Sequence, residues 1–107
     1  MFEDGSVASY RRIMVMRGYT DLRRGIPSLV ASLIAFHGVD PTEEGVLYLF
    51  CGRSARRVKG VVRQNGAFVL ATVLLDRDGR VRWPRSEPGL EEVTPERLAG
   101  ILGGRFP

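Results

Sequence analysis

A chain of 107 residues, 44% hydrophobic and 26% charged, has the make-up of one globular domain over 1–107, with apolar side chains enough for a single core and too many for a disordered polymer. Its longest apolar run, 67–75, falls far short of the roughly 20 residues of a membrane helix, and the acidic start Met1-Phe2-Glu3-Asp4-Gly5 has no apolar h-region, so the expected location is the cytoplasm. Sixteen basic against 12 acidic residues leave a net charge of +4, and every cation but Lys59 is arginine, a skew that fits phosphate or carboxylate recognition and equally the codon use of a GC-rich genome.

Residues 1–9 form a loose leader. The stretch 11–17 is predicted as a strand, with Ile13 and Val15 on one face and Met14 and Met16 on the other. Gly18-Tyr19-Thr20-Asp21 turns the chain. Ile26, Leu29, Val30, Leu33, Ile34 and His37 then recur at helical spacing as one apolar stripe, with Pro27 in the first turn and Gly38 as the stop. After the loop 40–45, strands are predicted over 46–51, 56–63 and 68–75. The middle one places Arg57, Lys59, Val61 and Arg63 on one face and Val58, Gly60 and Val62 on the other. Asn65-Gly66 is a strong hairpin signal, Asp78-Gly79 marks a second, and 80–83 is a short further strand. Thr94-Pro95-Glu96 combines an N-cap, a first-turn proline and a first-turn acid, and Leu98, Ile101 and Leu102 would dock a short C-terminal helix. The expected fold is α+β: an antiparallel meander of four to five strands, the main helix on one face, and the short helix at the C-terminus.

Little in the sequence points to catalysis. Cys51 allows no internal disulfide, and with His37 the only histidine a zinc site of the usual kind cannot be assembled. Cys51 sits in an apolar strand, as a buried inert thiol does, and His37 has the position of a structural histidine at a helix end. The carboxylate pairs Glu43-Glu44, Asp76/Asp78 and Glu91-Glu92 fall in loops and turns, where acids are usually solvated. No phosphate-binding glycine loop is present, and neither a metal nor another cofactor is expected. The basic clusters stand out instead: Arg23-Arg24 before the helix; Arg53, Arg56, Arg57 and Lys59 across a turn and strand start; and Arg80 and Arg82 on the last predicted strand. They admit two readings, a surface that follows a phosphate backbone, or a charged solvated sheet face that resists aggregation. No helix carries an evident set of base-reaching side chains.

The order of short motifs adds context. Thr20-Asp21-Leu22-Arg23-Arg24-Gly25 before the helix is followed by Asp40-Pro41, Gly45-Val46-Leu47-Tyr48-Leu49-Phe50, Arg56-Arg57-Val58-Lys59 and Trp83-Pro84. In this order, over about 19–84, the chain resembles the TnpB-type accessory proteins, the second open reading frame, of IS66-type insertion sequences, which are distinct from the RNA-guided nucleases of the same name. The resemblance implies a role in transposition beside a separate DDE transposase, with no known catalytic activity. It makes Arg23, Arg24, Arg56 and Lys59 candidates for anion contact, Thr20 and Asp21 capping groups, and Gly25 a site of close helix–sheet approach. Arg63-Gln64-Asn65 and Thr72-Val73 stand where the family pattern carries a Trp-Asp and a Lys-Arg pair. The leading expectation is an accessory protein that contacts DNA or the transposase–DNA complex through Arg23, Arg24, Arg53, Arg56, Arg57, Lys59, Arg80 and Arg82. The alternative is a module that binds the transposase or itself without touching DNA. A metal-dependent nuclease would require Asp21, Asp40 or Asp76 to share one pocket.

Overall fold

The computed structural model describes residues 10–75 and 79–103. The leader, the acids Asp76 and Asp78 and the end of the chain after Gly103 lie outside them. The elements are β1 (Arg12–Arg17), α1 (Ile26–His37), β2 (Val46–Cys51), β3 (Arg57–Gln64), β4 (Ala67–Leu74), β5 (Gly89–Val93) and α2 (Pro95–Ile101). The strands form one five-stranded sheet in the order β4-β3-β2-β1-β5. The class is α+β, with α1 and α2 covering opposite faces.

The sheet is mixed, not purely antiparallel. β1 runs parallel to β2, with Arg12 opposite Val46 and Val15 opposite Leu49. The cause is the connection, which is long enough to hold α1 and so returns the chain to the same end of the sheet, as a parallel crossover requires. From β2 onward the expected meander is present. β2 pairs antiparallel with β3, and β3 with β4. Asn65 and Gly66 both take positive φ, 51° and 77°, as a two-residue hairpin turn needs. The Glu44 carboxylate accepts from both turn amides, at 3.0 Å from Asn65 N and 3.2 Å from Gly66 N.

A second correction concerns 80–83, which is not a strand. Its bonds go to three different elements instead of one neighbour: Val81 N donates to Ala55 O at 2.8 Å, Arg82 N to Ile101 O at 2.9 Å, and Trp83 Nε1 to Met16 O at 2.8 Å. Pro84 then has no N–H to extend a ladder. The segment crosses one face of the sheet and seals it with Val81 and Trp83. The fifth strand is β5, antiparallel to β1 from Ile13/Val93 to Arg17/Gly89. Its Leu90-Glu91-Glu92 core has weak β propensity. Ion pairs hold it from both sides, Arg12 to Glu92 at 3.1 Å and Arg97 to Glu91 at 2.9 Å.

Alternation along each strand divides the core in two. On one face Met14, Tyr48, Phe50 and Val61 pack with Leu22 and with Leu29 and Leu33 of α1. On the other, Ile13, Val15, Leu47, Leu49, Val58 and Val62 pack with Trp83 and with Leu98, Ile101 and Leu102 at α2. Every residue of β2 is buried, because it is the central strand and is covered on both faces. Leu29 and Leu33 anchor α1, and burying each contributes about 1.5–3 kcal/mol. The helix stripe is narrower than its spacing implies, since Ile34 is 56% exposed. Gly38 ends α1 in the left-handed conformation with its N–H on Ile34 O at 3.2 Å. Thr94 caps α2 as expected, its hydroxyl accepting from Arg97 N at 3.1 Å. Gly25 is not a point of close approach: a Cβ there would meet only Pro27 Cδ, at 3.7 Å.

Candidate nucleic-acid interface

Because β1 and β2 are parallel, the loops that follow them leave from the same end of the sheet. Thr20 N donates to Cys51 O at 2.8 Å and fastens one loop to the other. In the first loop Asp21 closes a turn: Oδ1 accepts from Arg23 N at 3.0 Å. Its carboxylate also holds the Arg23 guanidinium with both oxygens, at 3.0 and 2.9 Å. The hydrogen bonds from the Arg23 side chain and backbone hold the Asp21 carboxyl down at about 2. In the second loop Gly52 N donates to Arg57 O and Ala55 N to Gly52 O, both at 2.9 Å. Gly52 is where the loops touch, because a Cβ there would lie 3.2 Å from Leu22 Cδ1.

Between the loops lies a cleft of about 520 Å³. Tyr19, Thr20, Asp21, Leu22 and Arg23 line it from the first loop, Gly52, Arg53, Ser54 and Arg56 from the second, and Arg57 and Leu74 from the adjoining strands. Arg53 and Arg57 are exposed, and their side chains make no hydrogen bond or ion pair among the described residues. Arg56 donates from Nη2 to the neutral carbonyl of Leu75 at 3.2 Å. Lys59 lies on the same face of β3, two residues beyond Arg57, and its Nζ is tied to Leu22 O at 2.6 Å. Four sequence-predicted residues therefore line one cleft, Arg23, Arg53, Arg56 and Arg57, with Lys59 bracing the loop that walls it. Among the described lining residues Asp21 is the one acid, and it is engaged with Arg23.

The other predicted cations lie elsewhere. Arg24 folds back along α1, bonded to Ser28 Oγ at 2.7 Å, to Ser28 O at 2.9 Å and to the Ser32 hydroxyl. It lines an adjoining cleft of about 340 Å³ that shares Tyr19, Thr20 and Asp21 with the first and also holds Arg17, Phe36 and His37. Arg80 and Arg82 belong to the crossing segment on the α2 face and do not line the cleft. Arg80 Nη1 donates to Gly79 O at 2.8 Å, and Arg82 is exposed. Arginines of β1 and α2 face acids, as in Arg12 with Glu92, Arg17 with Glu91 and Arg97 with Glu91. That contrast separates Arg53 and Arg57 from the general positive charge of the chain.

Cys51 is fully buried, and burial pushes its thiol up to about 12. Asp21 and Asp40 line different clefts, and among the described residues no three His, Cys, Asp or Glu side chains are grouped to hold a metal ion. No helix among the described residues is long and apolar enough to cross a membrane. Sequence reasoning missed Tyr19, Leu22, Gly52, Ser54 and Leu74 as lining residues. The Asp-x-Arg spacing of Asp21 and Arg23 is a local signal that could have found the pairing there.

Fold and site together define a small mixed-sheet α+β protein whose parallel strand pair carries an arginine-lined cleft at its C-terminal ends. The chain belongs to the family described as IS66 Orf2 like protein, which matches residues 11–105. This is a family of accessory proteins in the transposition of insertion sequences, and it is not known as a family of enzymes. The chain is also 34% identical over 93 residues, 87% of this chain and 79% of the relative, to an uncharacterized protein, y4hO, of Sinorhizobium fredii. No solved structure matches it.

Proposed function

We propose that this protein serves transposition by holding DNA phosphates in the cleft between the loops that follow β1 and β2. The observation that carries the reading is the pair Arg53 and Arg57, two exposed guanidinium groups without an acid partner among the described residues, beside Arg56 in one concave site. A guanidinium fork matches phosphate oxygens geometrically, and a concave site concentrates the field of several cations. A cleft of this kind grips the backbone and carries no base code, so sequence choice rests with the transposase. Arg24, Arg80 and Arg82 would extend the contact only where DNA wraps beyond the cleft.

The test is duplex DNA binding by fluorescence anisotropy across a salt series, with Arg53→Gln/Arg57→Gln as the variant. The reading requires affinity that falls with salt in the wild type and a shallower fall in the variant. Affinity absent even at low salt refutes it, and a pull-down with a DDE transposase of an IS66-type element then decides whether the partner is protein alone.

A further inference from the structure

The two edges of the sheet are built differently. β5 is five residues long and carries Glu91 and Glu92, both engaged with arginines. β4 is eight residues long, Ala67–Leu74, and has no charged residue. Leu70 is 38% and Leu74 61% exposed. Charges and short length are how sheets protect an open edge, and β4 has neither. Leu75 N donates to Arg56 O and Val81 N to Ala55 O, and no described residue pairs with the outer side of β4.

The register shows which backbone groups that edge offers. The Asn65-Gly66 turn closes on Gln64 opposite Ala67. In a two-residue hairpin the closing pair exchanges hydrogen bonds and the pairs then alternate. Ala67, Val69, Ala71 and Val73 thus bond inward to β3, and the N–H and C=O groups of Phe68, Leu70, Thr72 and Leu74 point outward. The Leu75 N to Arg56 O bond, at 2.7 Å, has the same parity. The outward set is centred on Ala71.

We propose that β4 pairs antiparallel with β4 of a second copy about a two-fold axis at Ala71, giving one continuous sheet with five strands from each chain. This register sets Leu70 opposite Thr72 of the second copy and Phe68 opposite Leu74. Val69 faces Val73 on the other side of the sheet, and all four outward residues of each chain are used. The occupant follows from charge. A strand with no ionic group offers nothing to an acidic or basic partner strand, whereas its own sequence matches it uncharged for uncharged, and two chains of net charge +4 can approach along that seam. An axis perpendicular to the sheet keeps both arginine clefts on the same face. Strand rise and spacing put the two Arg57 positions about 25 Å apart.

The experiment is sedimentation equilibrium of the full chain over a concentration series, with variants at two outward positions absent from the cleft lining, Leu70 and Thr72. The wild type is expected at twice the 11.9 kDa chain mass. Leu70→Lys/Thr72→Lys puts like charges directly opposite each other at two symmetric points and should weaken the dimer by roughly 100-fold, as should Leu70→Glu/Thr72→Glu. Mixing the two variants should restore a dimer, because opposite charges then face each other at both points. Thr72→Pro removes an outward N–H that the isolated chain does not use, so it should stay folded by circular dichroism and sediment as a monomer. A wild type at single-chain mass at every concentration, or a dimer that survives the charge variants, or a mixture that stays monomeric, overturns the proposal. None of these results depends on whether DNA occupies the cleft.

Discussion

Removing Arg53 and Arg57 together isolates the cleft's charge from its fold. Both guanidinium groups are exposed and unpaired among the described residues, so Arg53→Gln/Arg57→Gln should shift unfolding by no more than about 0.5 kcal/mol. Each phosphate contact contributes a slope of about −0.9 to log affinity against log salt. Contacts from Arg53, Arg56 and Arg57 then give the wild type a slope near −2.7, or about 40-fold weaker binding at 200 than at 50 mM salt. The variant retains Arg56 and should lose only about 4-fold over the same range. Anisotropy of a labelled duplex measures both slopes, and Arg82→Gln, on the α2 face, is the control that should leave the slope at its wild-type value. Equal slopes in wild type and double variant would refute the cleft as the contact, whatever the affinity.

Asp21→Asn keeps the oxygen that caps the turn but releases Arg23, so it should tighten DNA binding and steepen the salt slope by about 0.9; unchanged binding would mean that Arg23 does not reach phosphate. In the wild type the Asp21 carboxyl is depressed to about 2, so its contribution to the turn is complete above the ordinary carboxylate range and is lost as pH falls through about 2, which a carboxyl NMR titration of Asp21 would follow. Cys51, buried and pushed up to about 12, should resist thiol-specific alkylation at neutral pH and react in denaturant, and rapid modification of the native chain would contradict the packing. Trp83→Phe keeps an aromatic ring in the core but loses the Nε1 bond to Met16 O, and urea unfolding should show a loss of about 1–2 kcal/mol.

What the sequence made legible was local. The α1 span from Ile26 to His37, the Asn65-Gly66 turn and the Thr94 cap each rest on residues within a few positions of one another, and each is as expected. The face alternation of β1 and β3 also held, with Ile13 and Val15 in one core and Met14 and Val61 in the other. What failed was non-local. Val81 and Trp83 alternate like a strand, but Val81 N bonds to Ala55 O, Arg82 N to Ile101 O and the Trp83 indole to Met16 O, partners that no window of sequence contains. β5 was missed because Glu91 and Glu92 read as a solvated loop, and only the partners Arg12 and Arg97, brought in by β1 and α2, make them a strand. Ile34 has the right character and spacing for the core stripe, yet the sheet beneath α1 meets the helix chiefly at Leu29 and Leu33.

The same non-locality decided how much of the site could be foreseen. In an all-antiparallel meander the loop after β1 and the loop after β2 would leave from opposite ends of the sheet, and Arg23 could not share a cleft with Arg53. The parallel pairing of β1 and β2, forced by the long connection through α1, puts both loops at one end, and the Thr20–Cys51 bond locks them together. The C-terminal ends of parallel strands are the usual place for a ligand crevice in open sheets, because the loops there converge above strand ends that are already fixed. Here that general geometry gathers arginines from two loops separated in sequence by a helix. The cleft's charge was thus plain from composition, while its location was a property of topology. Arg82, equally basic and equally exposed, lies outside the cleft because the segment that bears it runs under the other face of the sheet.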